Sequence, residues 1–162
     1  MNAVPALQSA EALRERLARL SHDPIALLAR VSMASTFWLS GQSKIEGLVL
    51  DPIGLQVQWG WPQLSEGTLE LFRTDYRLPF LSPELAAPMA AISEHVFPLL
   101  LIAGLASRLS ALALLGMTAV IEVFVYPGAW PTHALWATCL LYLIARGPGK
   151  LSLDHLVARH WR

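Results

Sequence analysis

What this chain has little of narrows its class before any motif does. Its 162 residues contain a single cysteine, Cys139, so no disulfide can close within the chain. That residue lies in an apolar run and reads as packing rather than as a reactive thiol. Formal net charge is zero, and no basic run is interleaved with aromatics, which removes the electrostatic footprint of a nucleic-acid binder. The N-terminus lacks an apolar stretch close behind a charged start and is therefore not read as a secretory signal peptide. The first membrane helix must then act as the insertion signal. What is present in excess is apolar: hydrophobic residues make up 54% of the chain and mean hydropathy is +0.46, above the usual share for soluble proteins. The expectation is an all-α membrane protein, a bundle of four transmembrane helices.

Residues 1–22 place Leu7, Leu13, Leu17 and Leu20 among Glu11, Arg14, Glu15, Arg16 and Arg19, the pattern of a short amphipathic helix on a membrane surface. A solvated or partner-docking helix would read the same. The transmembrane domain is expected over 23–150, opening with Asp23 as N-cap and Pro24 at the first helical position. Spans are expected at about 25–45, 83–105, 109–126 and 132–146, each near the ~20 residues that cross a bilayer core, the last one short. Between the first two lies an extended outer loop, 46–82, punctuated by prolines and glycines. Its Val57–Trp61 stretch supplies interfacial aromatics, and Leu69 to Tyr76 suits a short surface helix. Pro98 in the second span should kink the helix and free the carbonyl of Glu94. Residues 151–162 form a cytoplasmic C-terminal segment, with Asp154 expected to cap a helix over 155–161. Gly147-Pro148-Gly149 is a helix stop and not a phosphate loop.

Charge orients the chain. Arg14, Arg16, Arg19, Arg108, Arg146, Lys150, Arg159 and Arg162 flank one side, against Lys44, Arg73 and Arg77 on the other. The positive-inside rule puts both termini in the cytoplasm.

Function is sought where polar groups enter the most apolar stretch, Leu85 to Tyr126. Glu94, His95 and Glu122 fall within it, and His133 opens the fourth span. Arg30, Phe37, Gly41 and Lys44 share one face of the first span. Lys44 is expected to snorkel to the interface; Arg30 is the favoured partner of Glu94, because an unpaired charge at bilayer depth costs about 2.5–3.5 kcal/mol or more. Three readings follow for this cluster of Arg30, Lys44, Glu94, Glu122 and His133. It is a structural ion pair, a cavity that handles protons or a quinone-like molecule with Glu94 as acceptor and His133 as a second titrating group, or a metal site built from His95, Glu122 and His133. Adjacent Glu94 and His95 point about 100° apart on a helix, which counts against the last. His133 and Trp136 also read simply as an interfacial aromatic anchor.

Together, Arg30, Phe37, Ser40-Gly41 and Lys44 in the first span, Glu94 followed by Gly104-Leu105 and Arg108, and the ending Gly147-Pro148-Gly149-Lys150-Leu151-Ser152-Leu153-Asp154 resemble the DoxX family of small bacterial inner-membrane proteins. Leu71 to Pro79 is also similar to the outer segment of a subgroup found beside metal-associated peptide-modifying systems. The resemblance implies a four-helix membrane bundle. It further implies a membrane subunit or accessory of a redox or stress-response system, with quinone as a candidate ligand. The alternative is a non-enzymatic small transporter or assembly factor for a metal or thiol compound. Expected partners are the lipid bilayer, a redox or metal-handling protein and a second copy of the chain. Glu94, Arg30 and Lys44 are the positions that the resemblance marks as functional.

Overall fold

A computed structural model describes Glu11 and residues 21–52 and 54–161; the amphipathic segment expected at the N-terminus lies outside the described residues. The chain is mostly helical. Helix α1 spans His22–Gln42. It is followed by two nested antiparallel ribbons, β1 (Ile45–Glu46) with β4 (Gln63–Leu64) and β2 (Val49–Asp51) with β3 (Gln56–Gln58), in the registers Ile45↔Leu64 and Leu50↔Val57. Helix α2 (Glu66–Thr74), α3 (Pro83–Ala103), α4 (Ser107–Val120), α5 (Trp130–Arg146) and α6 (Leu153–His160) complete it. A π-helical turn, Ile121–Val125, continues α4, and a 3-10 turn, Pro127–Ala129, leads into α5.

Two helical stretches, Pro83–Ala103 and Ser107–Val125, are long and apolar enough to cross a membrane. Helix α1 carries too many hydroxyl and charged groups to read so cleanly, and α5 has 17 residues. The exterior of the helical packing is nonetheless apolar. On α3, Leu85, Met89, Ile92, Val96, Leu99 and Ile102 recur at helical spacing and point outward, whereas the buried inner face of the same helix contains Glu94. An apolar exterior around a polar interior inverts the pattern of a water-soluble helix. Between the four long helices, Ala26, Ala29, Ala34 and Ala111 allow close approach, and Met33, Phe37, Leu101, Leu114, Leu140 and Leu143 fill the core. A second cluster seats the α2 side chain Phe72 on Ala86 and Ala87 of α3.

Several local expectations are corrected. The N-cap of α1 is Ser21, whose Oγ accepts from Asp23 N at 3.3 Å; Asp23 instead accepts from Lys150 N at 2.8 Å, tying the start of α1 to the chain beyond α5. Asp154 likewise caps another helix, not its own. Its two carboxylate oxygens accept from Ala106 N and Ser107 N, at 2.8 and 2.9 Å, and so serve the N-terminus of α4. Ser152 caps α6. The hairpin ribbons were not foreseen, because their strands are two or three residues long, too short for alternation to register. Helix α3 runs on through both prolines, Pro88 and Pro98.

At the end of the bundle away from the hairpin, Arg30 joins three segments. Only 1% of it is exposed. Its Nε donates to Leu101 O at 2.6 Å, one Nη to Leu151 O at 2.6 Å and Pro148 O at 3.3 Å, and the other Nη to Ile102 O. The guanidinium thus ties carbonyls at the end of α3 to those of the turn after α5, Leu101 O also accepting from Gly104 N at 3.1 Å. Gly104 makes the fit possible: its φ is +69°, and a Cβ there would meet Ser152 Cβ at 2.5 Å and an Arg30 Nη at 2.7 Å.

Candidate functional site

Glu94 lies at the middle of α3, facing α1, and 2% of it is exposed. Its partner is Lys44 and not Arg30: Lys44 Nζ sits 2.7 Å from Glu94 Oε2, and Ser40 Oγ donates to Glu94 Oε1 at 3.2 Å. Lys44 also donates to Ser40 O and Ser40 Oγ at 3.2 and 3.0 Å. The expected snorkelling does not occur, because the segment after the hairpin folds over this lysine. Its carbonyl accepts from Ser65 N and from Thr68 Oγ1, both at 3.1 Å, which fixes the N-terminus of α2 above it. A buried ion pair with an added hydroxyl donor recovers part of the cost of removing both charges from water.

Arg30 misses Glu94 because α1 is slid along α3. Gly41 is the residue opposite Glu94, where an added Cβ would lie 3.1 Å from Glu94 Cβ and 2.8 Å from the His95 ring. Arg30 is then about 16 Å further down the helix, at 1.5 Å per residue.

Pair and hydroxyl border a cavity of about 390 Å³ between α1, α2, α3, α4 and α5. On its α5 side stands a second pair. His133 Nδ1 is 2.6 Å from Glu122 Oε2, and the π-helical turn carries that glutamate. Phe37, Phe72 and Trp136 add aromatic walls, Trp136 packing against both Phe37 and His133 with centroids 5.6 and 4.9 Å apart. Three of the five expected polar residues, Lys44, Glu94 and His133, therefore line one space, Glu122 stands behind His133 as its partner, and Arg30 lies elsewhere.

His95 does not join them. Ala91 O can only accept, so His95 Nδ1 carries the proton and donates to it at 2.6 Å. Gln42 Oε1 is already occupied by Leu50 N, so its amide donates to His95 Nε2 at 2.9 Å. Both ring nitrogens are committed, and the ring packs on Trp38 with centroids 5.0 Å apart. Among the described residues no three His, Cys, Asp or Glu side chains converge as for a metal ion.

Sequence reasoning missed the cover. Tyr76, just beyond α2, and Tyr126, just beyond the π turn, meet hydroxyl to hydroxyl at 2.6 Å, and both line the cavity. Burial and the hydrogen bond to Tyr126 push the Tyr76 phenol above its ordinary range. The folded state therefore holds this proton more tightly than the unfolded chain, so the contribution is complete below the ordinary tyrosine value of about 10 and is lost as pH climbs beyond it. Subtracting the alkaline absorbance titration of Tyr76→Phe from that of the parent should reveal a tyrosine ionising well above pH ~10; a difference curve centred there would contradict the closed pair.

A family model, DoxX, matches residues 25–127, from α1 through the π turn and short of His133. No curated protein and no solved structure matches the chain.

Proposed function

The chain belongs to the DoxX family, and on that premise we propose that it is a four-span protein of the bacterial inner membrane serving a redox or stress-response system at the level of quinone. The observation that carries this reading is the Lys44–Glu94 pair and His133, itself bonded to Glu122, lining one largely apolar, ring-walled cavity. Converting a quinone to a quinol takes two electrons and two protons. The electrons come from a partner redox protein; this chain supplies position and protons. Phe37, Phe72 and Trp136 suit a flat ring, Ser40 and Lys44 offer donors to a ring oxygen, and Glu94 can pass a proton held next to them. His133, bonded to Glu122, is the second group able to carry one.

Protein purified from membranes is expected to retain quinone, and Glu94→Gln to lower its affinity by about tenfold, the scale of one charge-assisted hydrogen bond. A parent protein that carries none and binds no added quinone analogue overturns the reading. A metal transporter or assembly factor has less support, since Glu122 and His133 supply two ligands and His95 is engaged elsewhere.

The four spans are α1, α3, α4 with its π turn, and α5, of which α1 has 21 residues, about 31 Å at 1.5 Å per residue. Arg108, Arg146 and Lys150 lie at the end away from the hairpin, which favours the cytoplasm for that end and for both termini. A reporter active only outside the cytoplasm, fused after Arg162, should stay silent; activity there reverses the orientation.

A further inference from the structure

The cavity is partly covered. Buried residues of α1 and α5 form its floor, and at the hairpin end two edge-on aromatic contacts bridge across it, Tyr76 with Tyr126 and Phe80 with Phe124, each with centroids 5.5 Å apart. Its lining reaches the surface along a different line. Met89, 56% exposed, and the half-buried Ser93 bound it on α3. Half-buried Met117 and Ile121 bound it on α4 and the π turn. This opening is lateral, between the two helical stretches that are long and apolar enough to span a membrane. At 1.5 Å per residue, Met89 and Met117 lie about 9 and 12 Å from the hairpin ends of their helical stretches. In a bilayer core about 30 Å thick that is hydrocarbon depth, not the headgroup layer.

We propose that the cavity takes its ligand sideways from the bilayer through the seam between α3 and α4. The ligand is an amphipathic, membrane-dissolved molecule, with its polar head at Lys44, Ser40 and Glu94 and its apolar chain lying in the seam. The polar groups are at the deep end and the thioether and aliphatic side chains are at the mouth, so the site presents the two chemistries in the order in which such a molecule offers them. Size agrees: about 390 Å³ is near the lower end of the ~300–1,000 Å³ typical of ligand pockets, room for a ring and the first atoms of a chain but not for a long chain folded inside. A water-borne ligand would have to push both aromatic bridges aside to enter from the hairpin end. The inference rests on this cavity being the ligand site proposed above, and it does not depend on the ligand being redox-active.

The test uses the full chain in lipid nanodiscs and three probes: a dimethoxy-methyl-benzoquinone with a decyl chain, the same ring without the chain, and 4-decylphenol. Binding is corrected for uptake by empty nanodiscs. Met89 faces outward, so Met89→Trp fills the seam without entering the core, and Met89→Ala serves as the open counterpart. Met89→Trp should weaken the decyl quinone by about tenfold or more, equivalent to about 1.4 kcal/mol, and leave the affinity of the chainless ring close to that of the parent, while Met89→Ala should cost the decyl quinone less than Met89→Trp does. Equal effects on the quinones with and without a chain, or no effect on either, overturn lateral entry while leaving the quinone reading intact. If neither quinone binds but 4-decylphenol binds and is weakened by Met89→Trp, the quinone reading fails and lateral entry stands.

Discussion

Replacing Lys44 alone, as Lys44→Met, is expected to destabilise the folded protein by about 3–5 kcal/mol, the range for stripping a buried charge of its partner. Glu94, 2% exposed, would keep only the Ser40 hydroxyl at 3.2 Å. It would then have to take up a proton or draw water into the cavity, and that proton uptake sets the ceiling on the loss. Lys44→Met combined with Glu94→Leu should recover most of the stability, because the cost of desolvating both charges disappears with the pair. Denaturant or thermal unfolding in one fixed detergent measures all three proteins. A single variant as stable as the parent would mean that the ion pair does not form, and a double variant as unstable as the single would mean that the site is held by something other than charge.

The second large effect is expected at Arg30. Arg30→Met removes donors from Leu101, Ile102, Pro148 and Leu151 carbonyls at once. Hydrogen bonds to charged groups contribute about 1.5–3 kcal/mol each and do not add in full, so the expected loss is about 3–5 kcal/mol. Arg30→Lys should restore little, since a single ammonium cannot fork toward carbonyls on two sides. Unfolding measurements, together with hydrogen exchange at the end of α3 and at Ser152, separate this from a general loss of packing. Protection lost first at those two places is the expected result, and uniform loss along all helices would contradict the clamp. Because these hydrogen bonds of Arg30 go to backbone carbonyls and it sits away from the cavity, Arg30→Met protein that does fold should bind cavity ligands as the parent does.

Much of this site was visible in the order of residues. An acid in the most apolar stretch, a lysine on the inner face of the first helix and a histidine opening the last one all mark a polar interior, and Lys44, Glu94 and His133 do border one space, with Glu122 bonded behind His133. The pairing was not visible. Counting residues from helix ends assumes that the ends are level, which set Arg30 beside Glu94; the slide of α1 along α3 that places Gly41 there comes from packing, and no local pattern encodes it. Lys44 was misread for a similar reason. A lysine at a helix end snorkels by default, and only the folding of Ser65 and Thr68 back onto its carbonyl turns it inward. Asp154 followed suit: proximity in sequence suggested its own helix, whereas 48 positions separate it from Ala106, whose amide it caps. The family, by contrast, was legible, since the small residues and charges of the first two spans keep their order and spacing, and the matched region covers both.

The π turn after α4 makes the cover of the cavity a matter of residue count. Tyr126 N bonds Ile121 O at 2.8 Å, a reach of five residues instead of four, so Tyr126 stands above Ile121 and both line the cavity. An ordinary α-helical turn would put Val125 in that place and carry Tyr126 on by about 100°, out of reach of Tyr76. Every side chain in this stretch could be preserved and the closure still lost if the turn relaxed to the α pattern at this length. Residue count, as well as chemical identity, thus bears on the cavity between Met117 and Pro127: holding the tyrosine above Ile121 takes either this length with the π turn or one residue fewer with an α turn.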